Sequence, residues 1–411
     1  MNNDLLYIYL NFIFYVFVLI LLIKFNKQST ISIFLLSIWS ISAASSILYY
    51  PIFNSIIQIN YLKLEPYIYI FVLSILFFIP ILTFKNKCLK RIDGNISILR
   101  FVAYIITTLS ILPFTENLIY TILHLGSNAN QFGENYGENV QYLSSLSQVL
   151  YRWCTYFSII NSVLFFYFLT KKEESKFIKI GLLVSMLTPI LGNLNGGSRF
   201  SFVTETLYII FLYILFYNLL DLKLRKRIFF YLIAFGVFFG IIFMLITLLR
   251  FDSTDSTNYT LLGWMSLYSG ESYLNFNDAM WNVSKHTNGD NCFFIFKHIF
   301  GDYPESIRDF HYLENIVHIR MNVYYTFIGD LFIDFGKYVT IIIIIACSFL
   351  MKRIVSFKNT LSIEKIILFS AYAKICLIGF TYYPYMNSPM TLVYTLIFIA
   401  ILKITSLKKT T

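Results

Sequence analysis

Charged residues are scarce in this chain: Asp, Glu, Lys and Arg make up only 13% of its 411 residues, whereas an ordinary soluble domain has roughly a quarter. Hydrophobic residues reach 57%, and the mean hydropathy is +0.67. Intrinsic disorder is excluded because it requires low hydrophobicity and high charge. A soluble enzyme of this size would have too little polar surface to stay dispersed in water. The composition therefore indicates an integral membrane protein.

Cysteine is also rare, with five residues in the chain. Only Cys292 lies firmly in a loop that we expect on the outer side of the membrane, which excludes a disulfide framework. The sequence has no Cys-X-X-Cys pair and no His/Cys cluster that would indicate zinc. It also contains neither a Walker motif nor a dinucleotide-binding fingerprint. The sequence therefore carries no zinc-binding or nucleotide-binding motif.

Long apolar runs are abundant, and they predict an all-α polytopic fold, because a β-barrel would show short alternating segments instead. We predict about eleven transmembrane helices, at about residues 5–23, 31–49, 66–84, 98–113, 153–169, 177–193, 200–218, 228–249, 336–351, 364–381 and 389–402. Residues 1–411 then form a single integral membrane domain, with one large loop at 250–335.

The distribution of charge over the loops predicts the orientation. One set of loops holds 22 of the 32 basic residues against five acids, and the other set holds nine basic residues and 17 acids. By the positive-inside rule the N-terminus faces outward, the C-terminus is cytoplasmic and the 250–335 loop is extracytoplasmic. The net charge of +10 is therefore topological and does not indicate a nucleic-acid partner.

Polar residues that could carry chemistry are concentrated on the predicted outer side. All five histidines fall there, whereas the cytoplasmic loops are too short to hold a catalytic domain. An enzyme acting on the outer face has no access to ATP. Its substrate must therefore arrive already activated, for example as a lipid-linked sugar.

Two arginines at the outer ends of predicted spans are candidates for binding an anion. Arg199 follows Gly196-Gly197-Ser198, where glycines allow close approach of a ligand to the backbone, and Arg250 ends the eighth predicted span. The planar guanidinium binds phosphate oxygens bidentately and keeps its charge. The alternatives are a tight turn with a snorkelling arginine at 199 and an interfacial anchor at 250.

Two further charged residues lie within predicted spans, where charge is costly and frequently functional. Glu205 falls in the seventh span, and it is either a functional acid or a structural partner for an arginine such as Arg152. Lys374 falls in the tenth span, and it either meets an anion or snorkels to the interface.

The large outer loop contains a polar series at helical spacing. If residues 308–322 form one helix, a single stripe contains Arg308, His311, Asn315, His318 and Asn322. Glu314 lies beside the stripe, and Arg320 projects elsewhere. The stripe is either a solvated face or the lining of a cavity. Metal binding through His311, Glu314 and His318 is a weaker alternative, because no fourth ligand is evident.

Two other outer segments have simpler interpretations. Residues 126–139 are rich in Gly, Asn and Gln and are best interpreted as a solvated connector, the alternative being a flap that contacts sugars. Asp334 is expected to cap the ninth predicted span.

Several motifs together resemble the Wzy-type O-antigen polymerases, also called oligosaccharide repeat-unit polymerases. They are Gly-Gly-Ser-Arg at 196–199, Arg250-Phe251 after a long span, and the run from Asn322 to Phe327 followed by Asp334-Phe335-Gly336-Lys337. The predicted topology is similar too, with many spans, very short cytoplasmic loops and one large outer loop before the last few spans.

The resemblance implies a membrane glycosyltransferase that joins undecaprenyl-pyrophosphate-linked repeat units at the outer face of the bacterial cytoplasmic membrane. The growing chain leaves its lipid pyrophosphate and is transferred to a hydroxyl of the incoming unit. No cofactor and no metal are implied. The implied partners are the lipid-linked oligosaccharide and membrane lipid, together with a chain-length regulator and a flippase.

The resemblance also suggests roles for the candidate residues. Arginines would hold the pyrophosphate and stabilise the charge that develops on it, and one side chain would accept the proton of the attacking hydroxyl. The expected catalytic residues are Arg199, Arg250 and a base chosen from His311, His318 and Glu271; the expected substrate-binding residues are Arg308, Arg320, Asn322, Tyr324, Lys374 and Glu205.

Two other functions remain open from the sequence. An O-antigen ligase-like enzyme would have the same fold and donor but a different acceptor. A flippase or transporter for the lipid-linked sugar would place polar groups in mid-membrane and show repeated halves, and no repeat is visible in the sequence.

Overall fold

The computed structural model describes residues 3–26, 28–56, 62–124, 141–195, 199–251, 261–301, 308–355, 359–386 and 388–407. In chain order the helices are α1 (Asn3–Phe25), α2 (Thr30–Ile56), α3 (Leu64–Leu82), α4 (Ile96–His124), α5 (Ser145–Tyr156), α6 (Ser158–Leu169), α7 (Lys176–Asn195), α8 (Arg199–Phe216), α9 (Leu222–Phe251), α10 (Leu261–Asn275), α11 (Phe294–Ile299), α12 (Phe310–Val317), α13 (Phe327–Ile354), α14 (Ile363–Ile378) and α15 (Pro389–Leu407). Two three-residue strands, β1 (Arg91–Asp93) and β2 (Thr360–Ser362), pair in parallel.

Within the described residues, seven helices are long and apolar enough to cross a membrane, and the pair α5 and α6, bent by 68°, makes an eighth if it counts as one span. The seven are Asn3–Phe25, Thr30–Asn54, Leu64–Cys88, Ile96–Leu123, Lys176–Asn195, Phe202–Leu219 and Phe327–Ile354. These helices are consistent with the predicted all-α, multi-pass membrane class. The count of eleven spans and the outward N-terminus stay predictions.

The chain divides into two compact units. The first unit comprises Met1–Lys85, Asn258–Phe357 and Tyr372–Pro389, and the second comprises Asn86–Thr257, Lys358–Ala371 and Met390–Thr411. The predicted outer loop at 250–335 is largely helical where it is described, and most of it belongs to the first unit.

In the second unit, α4 and α7 pack closely because a glycine faces the contact. A Cβ added at Gly181 would lie 2.1 Å from the Thr107 side chain. Near the other end of the pair, the buried Asn117 amide oxygen accepts from the Tyr142 hydroxyl at 2.6 Å, and the Asn195 side chain donates to the Asn117 carbonyl at 3.1 Å. Asn117 therefore joins the end of α7 to the segment that leads into α5.

In the first unit, α10 lies against α2. The Ser42 hydroxyl donates to the Ser269 carbonyl, and a Cβ added at Gly270 would lie 2.4 Å from the backbone nitrogen of Ser46. Any side chain at 270 would therefore push the two helices apart. This close approach explains why a glycine occupies the middle of α10, where it otherwise lowers helix stability.

The chain turns after α10 through a π-helical segment, Phe276–Met280. There the Asn277 side chain accepts from the backbone nitrogen of Lys63 at 2.9 Å and donates to the Lys63 carbonyl at 2.6 Å. Both backbone polar groups of Lys63, the residue before α3, are thus satisfied by one amide.

The first part of α13 runs antiparallel to α3. The Phe327 ring lies 4.8 Å from the Phe77 ring, and the Phe332 ring lies 6.0 Å from the Tyr69 ring. From residue 327 to residue 332 of α13, the contacted residue on α3 therefore changes from 77 to 69, which is about two helical turns towards the start of α3.

The second part of α13 runs in the opposite direction. The Tyr69 hydroxyl donates to the Lys337 carbonyl at 2.7 Å, and the Ser348 hydroxyl donates to the Leu76 carbonyl at 2.7 Å. The reversal occurs at Gly336, whose φ of 72° and ψ of −179° are non-helical. Residues 327–335 and 337–354 therefore form a helical hairpin, and the second arm coincides with the ninth predicted span.

Candidate functional site

Glu271 lies on α10 with only 9% of its surface exposed, near the Asn275 side chain and the Tyr324 backbone nitrogen. Asn275, one turn further along α10, donates to the Tyr324 carbonyl at 3.1 Å. Asn275 therefore holds the backbone of Tyr324 near Glu271. This arrangement brings together two residues that the sequence analysis selected separately.

The environment of Glu271 suits proton transfer near neutral pH. Burial raises the pKa of Glu271 to about 7 from the usual 4.5, although the hydrogen bonds from Asn275 and Tyr324 act in the opposite direction. Burial has this effect because removal from water disfavours the charged form of a carboxyl group. A carboxylate with a pKa near 7 can accept a proton from a substrate hydroxyl and release it afterwards.

Three half-exposed tyrosines lie in contact with one another, and Tyr324 is one of them. The Tyr324 ring lies 6.1 Å from the Tyr268 ring, and it stacks on the Tyr382 ring at 6.1 Å with an interplanar angle of 12°. Tyr268 precedes Glu271 by three residues and so shares its side of α10. We call Tyr268, Tyr324 and Tyr382 the tyrosine row.

Hydrogen bonds hold the segment that carries Tyr382. The Ser272 hydroxyl, on α10, donates to the Phe380 carbonyl, and the backbone nitrogen of Tyr383 donates to a carboxylate oxygen of Asp330 at 2.7 Å. The positions on both sides of Tyr382 are thus fixed by α10 and α13.

Asp334 organises the loop that precedes α11. Its carboxylate accepts from the Thr287 hydroxyl and from the backbone nitrogens of Gly289 at 3.2 Å, Asn291 at 2.9 Å and Cys292 at 2.8 Å. The expectation that Asp334 caps the ninth predicted span is therefore wrong. Its oxygens are engaged by the loop, and Thr326 caps α13 by accepting from the Gly329 nitrogen.

Arg308, a predicted substrate-binding residue, is buried within the first unit with 9% of its surface exposed. Its guanidinium donates to the Asn291 side chain and lies 4.5 Å from the Phe310 ring centroid. The Asn291 amide in turn donates to the carbonyl and a carboxylate oxygen of Asp330. Arg308 is thus linked through Asn291 to Asp330, whose carboxylate accepts from the Tyr383 nitrogen next to Tyr382.

The predicted helical stripe over 308–322 is wrong. Helix α12 spans only Phe310–Val317, and His318 ends it in the left-handed conformation with φ of 58°. Arg308 and Asn322 therefore lie outside the helix, and the spacing of 3 and 4 residues does not align them on one face. His311, Asn315, His318, Arg320 and Asn322 are all exposed.

The side chains of this segment make local contacts instead of lining a shared cavity. Glu314 accepts from the Met321 backbone nitrogen at 2.8 Å and lies 3.8 Å from the His311 ring, whose side chain is 94% exposed. The Arg320 carbonyl accepts from the Tyr325 hydroxyl at 2.6 Å. Among the described residues, no group of three or more His, Cys, Asp or Glu side chains could hold a metal ion.

Lys374 is buried on α14, with 8% of its surface exposed. It lies between Tyr372, whose ring stacks on Phe77 at 4.4 Å, and Cys376, whose carbonyl accepts from the Trp39 indole at 2.8 Å. The lysine therefore enters the interior of the first unit, as expected for a residue inside a predicted span.

The remaining candidates belong to the second unit. Glu205 is half-buried on α8 and interacts electrostatically with Tyr208, one turn further along. The backbones of Arg199 and Arg250 form the first residue of α8 and the penultimate residue of α9. Their side chains lie outside what the structure describes, as do residues 196–198 and most of the predicted connector at 126–139.

Sequence reasoning missed Asn275, Asn291 and Asp330. Asp330 and Asp334 are four residues apart in an apolar segment, which is a detectable signal because buried acids in such segments are frequently functional or paired. Asn275 follows Glu271 at the same spacing, but nothing local indicates that it would bind the backbone of Tyr324.

No protein-family model, curated protein or solved structure matches this chain.

Proposed function

We propose that this chain is a membrane glycosyltransferase that polymerises undecaprenyl-pyrophosphate-linked oligosaccharide repeat units at the outer face of the bacterial cytoplasmic membrane. The observation that carries the proposal is the buried Glu271 beside the half-exposed tyrosine row. The multi-pass helical fold and the motifs that resemble repeat-unit polymerases support it.

The tyrosine row suits a sugar substrate. Aromatic rings offer apolar faces to the C–H surfaces of a pyranose, while their hydroxyl groups bind its polar edge. Tyr324 is held through its backbone carbonyl by Asn275, which favours one orientation of its ring before substrate arrives. The row would hold the acceptor unit with one hydroxyl directed at the Glu271 carboxylate.

The proposed reaction is a direct displacement. The acceptor hydroxyl oxygen attacks the anomeric carbon of the growing chain and forms the new glycosidic bond. The bond from that carbon to the pyrophosphate oxygen breaks, and its electron pair leaves with the lipid pyrophosphate. The hydroxyl proton passes to the Glu271 carboxylate, and one displacement inverts the anomeric centre.

Glu271 suits the role of base better than the two histidines. His311 is almost fully exposed, and His318 is an exposed helix cap, whereas Glu271 is buried and adjoins Tyr324. Arg199 and Arg250 stay the predicted clamp for the leaving pyrophosphate.

A second candidate function is transport of the lipid-linked sugar across the membrane. The observation that favours it is the hairpin at Gly336, since transporters bind substrates at helices that break within the membrane. The buried Asp330 and Asp334 near this hairpin would then be transport residues. The polymerase is the better-supported proposal. Both carboxylates accept hydrogen bonds from backbone nitrogens of neighbouring segments, which gives the two acids a structural role.

Both candidates can be tested in proteoliposomes that contain purified full-length protein and a lipid-linked single repeat unit. The proposal predicts a ladder of saccharides of increasing length, which is lost in Glu271→Gln and retained in Glu173→Gln, a matched change at an exposed acid. Movement of the single unit across the bilayer without lengthening would favour the transporter. Transfer only to an added glycolipid acceptor would favour the ligase.

A further inference from the structure

Two lysines of the first unit converge on one tryptophan-asparagine pair outside the site described above. The Lys337 ammonium lies 4.5 Å from the Trp281 ring centroid, and the Lys63 ammonium donates to the Asn282 side chain at 3.2 Å. Both lysines are exposed, and Trp281 is half-buried. Two positive charges that are distant in sequence therefore lie beside adjacent residues.

Neither lysine has an ion pair with an acidic residue in the described part of the chain. By contrast, Lys297 in the same unit pairs with Asp290. Each ammonium group, which has no ion pair among the described residues, would be stabilised by an external anion.

The backbones of both lysines are fixed. Asn277 binds the nitrogen and the carbonyl of Lys63, and the Tyr69 hydroxyl donates to the Lys337 carbonyl. Trp281 stacks on Phe332 at 5.8 Å with an interplanar angle of 25°. The backbones of the two lysines and the ring of Trp281 are thus held before any ligand binds, which lowers the entropic cost of binding.

An exposed apolar strip begins beside Lys337. Tyr338, Ile342, Ile345 and Phe349 follow at spacings of 4, 3 and 4, so they lie on one face of the second arm of α13. Their exposed fractions are 77%, 65%, 50% and 64%. Positive charge at the end of such a strip, next to a half-buried tryptophan, is the arrangement expected at a membrane interface.

We propose that Lys63, Lys337 and Trp281 form a docking site for the pyrophosphate of a polyprenyl-linked substrate, whose hydrocarbon chain lies along the strip from Tyr338 to Phe349. This inference rests on the proposed function and names a binding site separate from Glu271. A pyrophosphate is favoured over a phospholipid headgroup because two unpaired ammonium groups match its multiple negative charges better than the single charge of a phosphodiester.

The test measures the affinity of the purified full-length protein, in nanodiscs of zwitterionic lipid, for undecaprenyl pyrophosphate and separately for phosphatidylglycerol. The variant is Lys63→Gln/Lys337→Gln, and the matched control is Lys223→Gln/Lys226→Gln, two exposed lysines of the second unit. We expect the Kd for the pyrophosphate to rise roughly tenfold or more in the variant, with little change in the control.

An unchanged Kd for the pyrophosphate in the variant would overturn the docking site. An equal loss of phosphatidylglycerol binding would also overturn it, because the patch would then be a general anionic-lipid surface. If wild-type protein binds the pyrophosphate through these lysines but never lengthens a repeat unit, the docking site is supported and the proposed polymerase is refuted.

Discussion

The Asn275 side chain donates to the carbonyl of Tyr324 at 3.1 Å, and the Tyr324 ring stacks on Tyr382. Glu271, one turn before Asn275 on α10, is a buried acid whose pKa burial raises to about 7. Asn275 therefore orders the aromatic surface, whereas Glu271 is the group suited to proton transfer, so changes at the two positions should have different effects.

The raised pKa of Glu271 predicts a pH-dependent cost to stability. As the pH rises from about 4.5 to about 7, the unfolded state loses the Glu271 proton before the folded state does, so the free energy of unfolding falls over this range. At full ionisation the cost is on the order of 3 kcal/mol. We expect Glu271→Gln to raise the thermal midpoint in detergent more at pH 8 than at pH 5. An equal shift at both pH values would mean that Glu271 is not held with a raised pKa.

The tyrosine row predicts separate contributions from the rings and the hydroxyl groups. Tyr324→Ala and Tyr382→Ala each remove a stacked ring, and we expect KM for the repeat-unit acceptor to rise about tenfold. Tyr→Phe at either position keeps the ring and should have a smaller effect. Tyr231→Ala, at an exposed tyrosine on α9, is the control. Unchanged KM in both alanine variants would remove the row from the acceptor site.

The hairpin at Gly336 predicts a strong preference for glycine. Its φ of 72° disfavours other residues, and an added Cβ would lie 2.7 Å from Nε2 of His286. We expect Gly336→Ala to destabilise the protein by about 1–3 kcal/mol, seen as a lower thermal midpoint. Gly236→Ala, on α9 where an added Cβ meets nothing within 4 Å, should be neutral or slightly stabilising. Equal midpoints for the two variants would contradict this account of the hairpin.

The sequence predicted the helices well where hydropathy alone determines them. Runs such as 5–23, 66–84 and 177–193 are continuous and apolar, and helices occupy them because a backbone in lipid must satisfy its own hydrogen bonds. The reversal at Gly336 could not be predicted in this way. Residues 327–335 are apolar except for Asp330 and Asp334, and only the positive φ and the packing against α3 reveal the turn.

The candidate site was partly predictable, and the errors have a physical cause. Glu271 and Tyr324 were selected as polar or aromatic residues of the outer loop, but their contact depends on tertiary packing between α10 and the segment before α13. The stripe over 308–322 failed because spacing indicates a shared face only if the helix continues, and α12 ends at Val317.

Metal independence is a further prediction from the sequence. The arginines are expected to supply the positive charge at the leaving group, so repeat-unit joining by purified protein should persist in excess EDTA. The assay compares initial rates with and without chelator at the same ionic strength, because surface electrostatics depend on salt. Activity that is lost in EDTA and restored by a divalent ion would instead require a metal in the reaction.

The pH dependence of repeat-unit joining by purified protein tests the central claim most directly. If Glu271 is the base, the rate for wild-type protein should rise with pH through a limb near pH 7, since only the deprotonated carboxylate accepts the hydroxyl proton. Glu271→Gln should lose about two to four orders of magnitude in rate together with this limb. A Glu271→Gln variant that joins repeat units at the wild-type rate, with the same limb, would contradict the account.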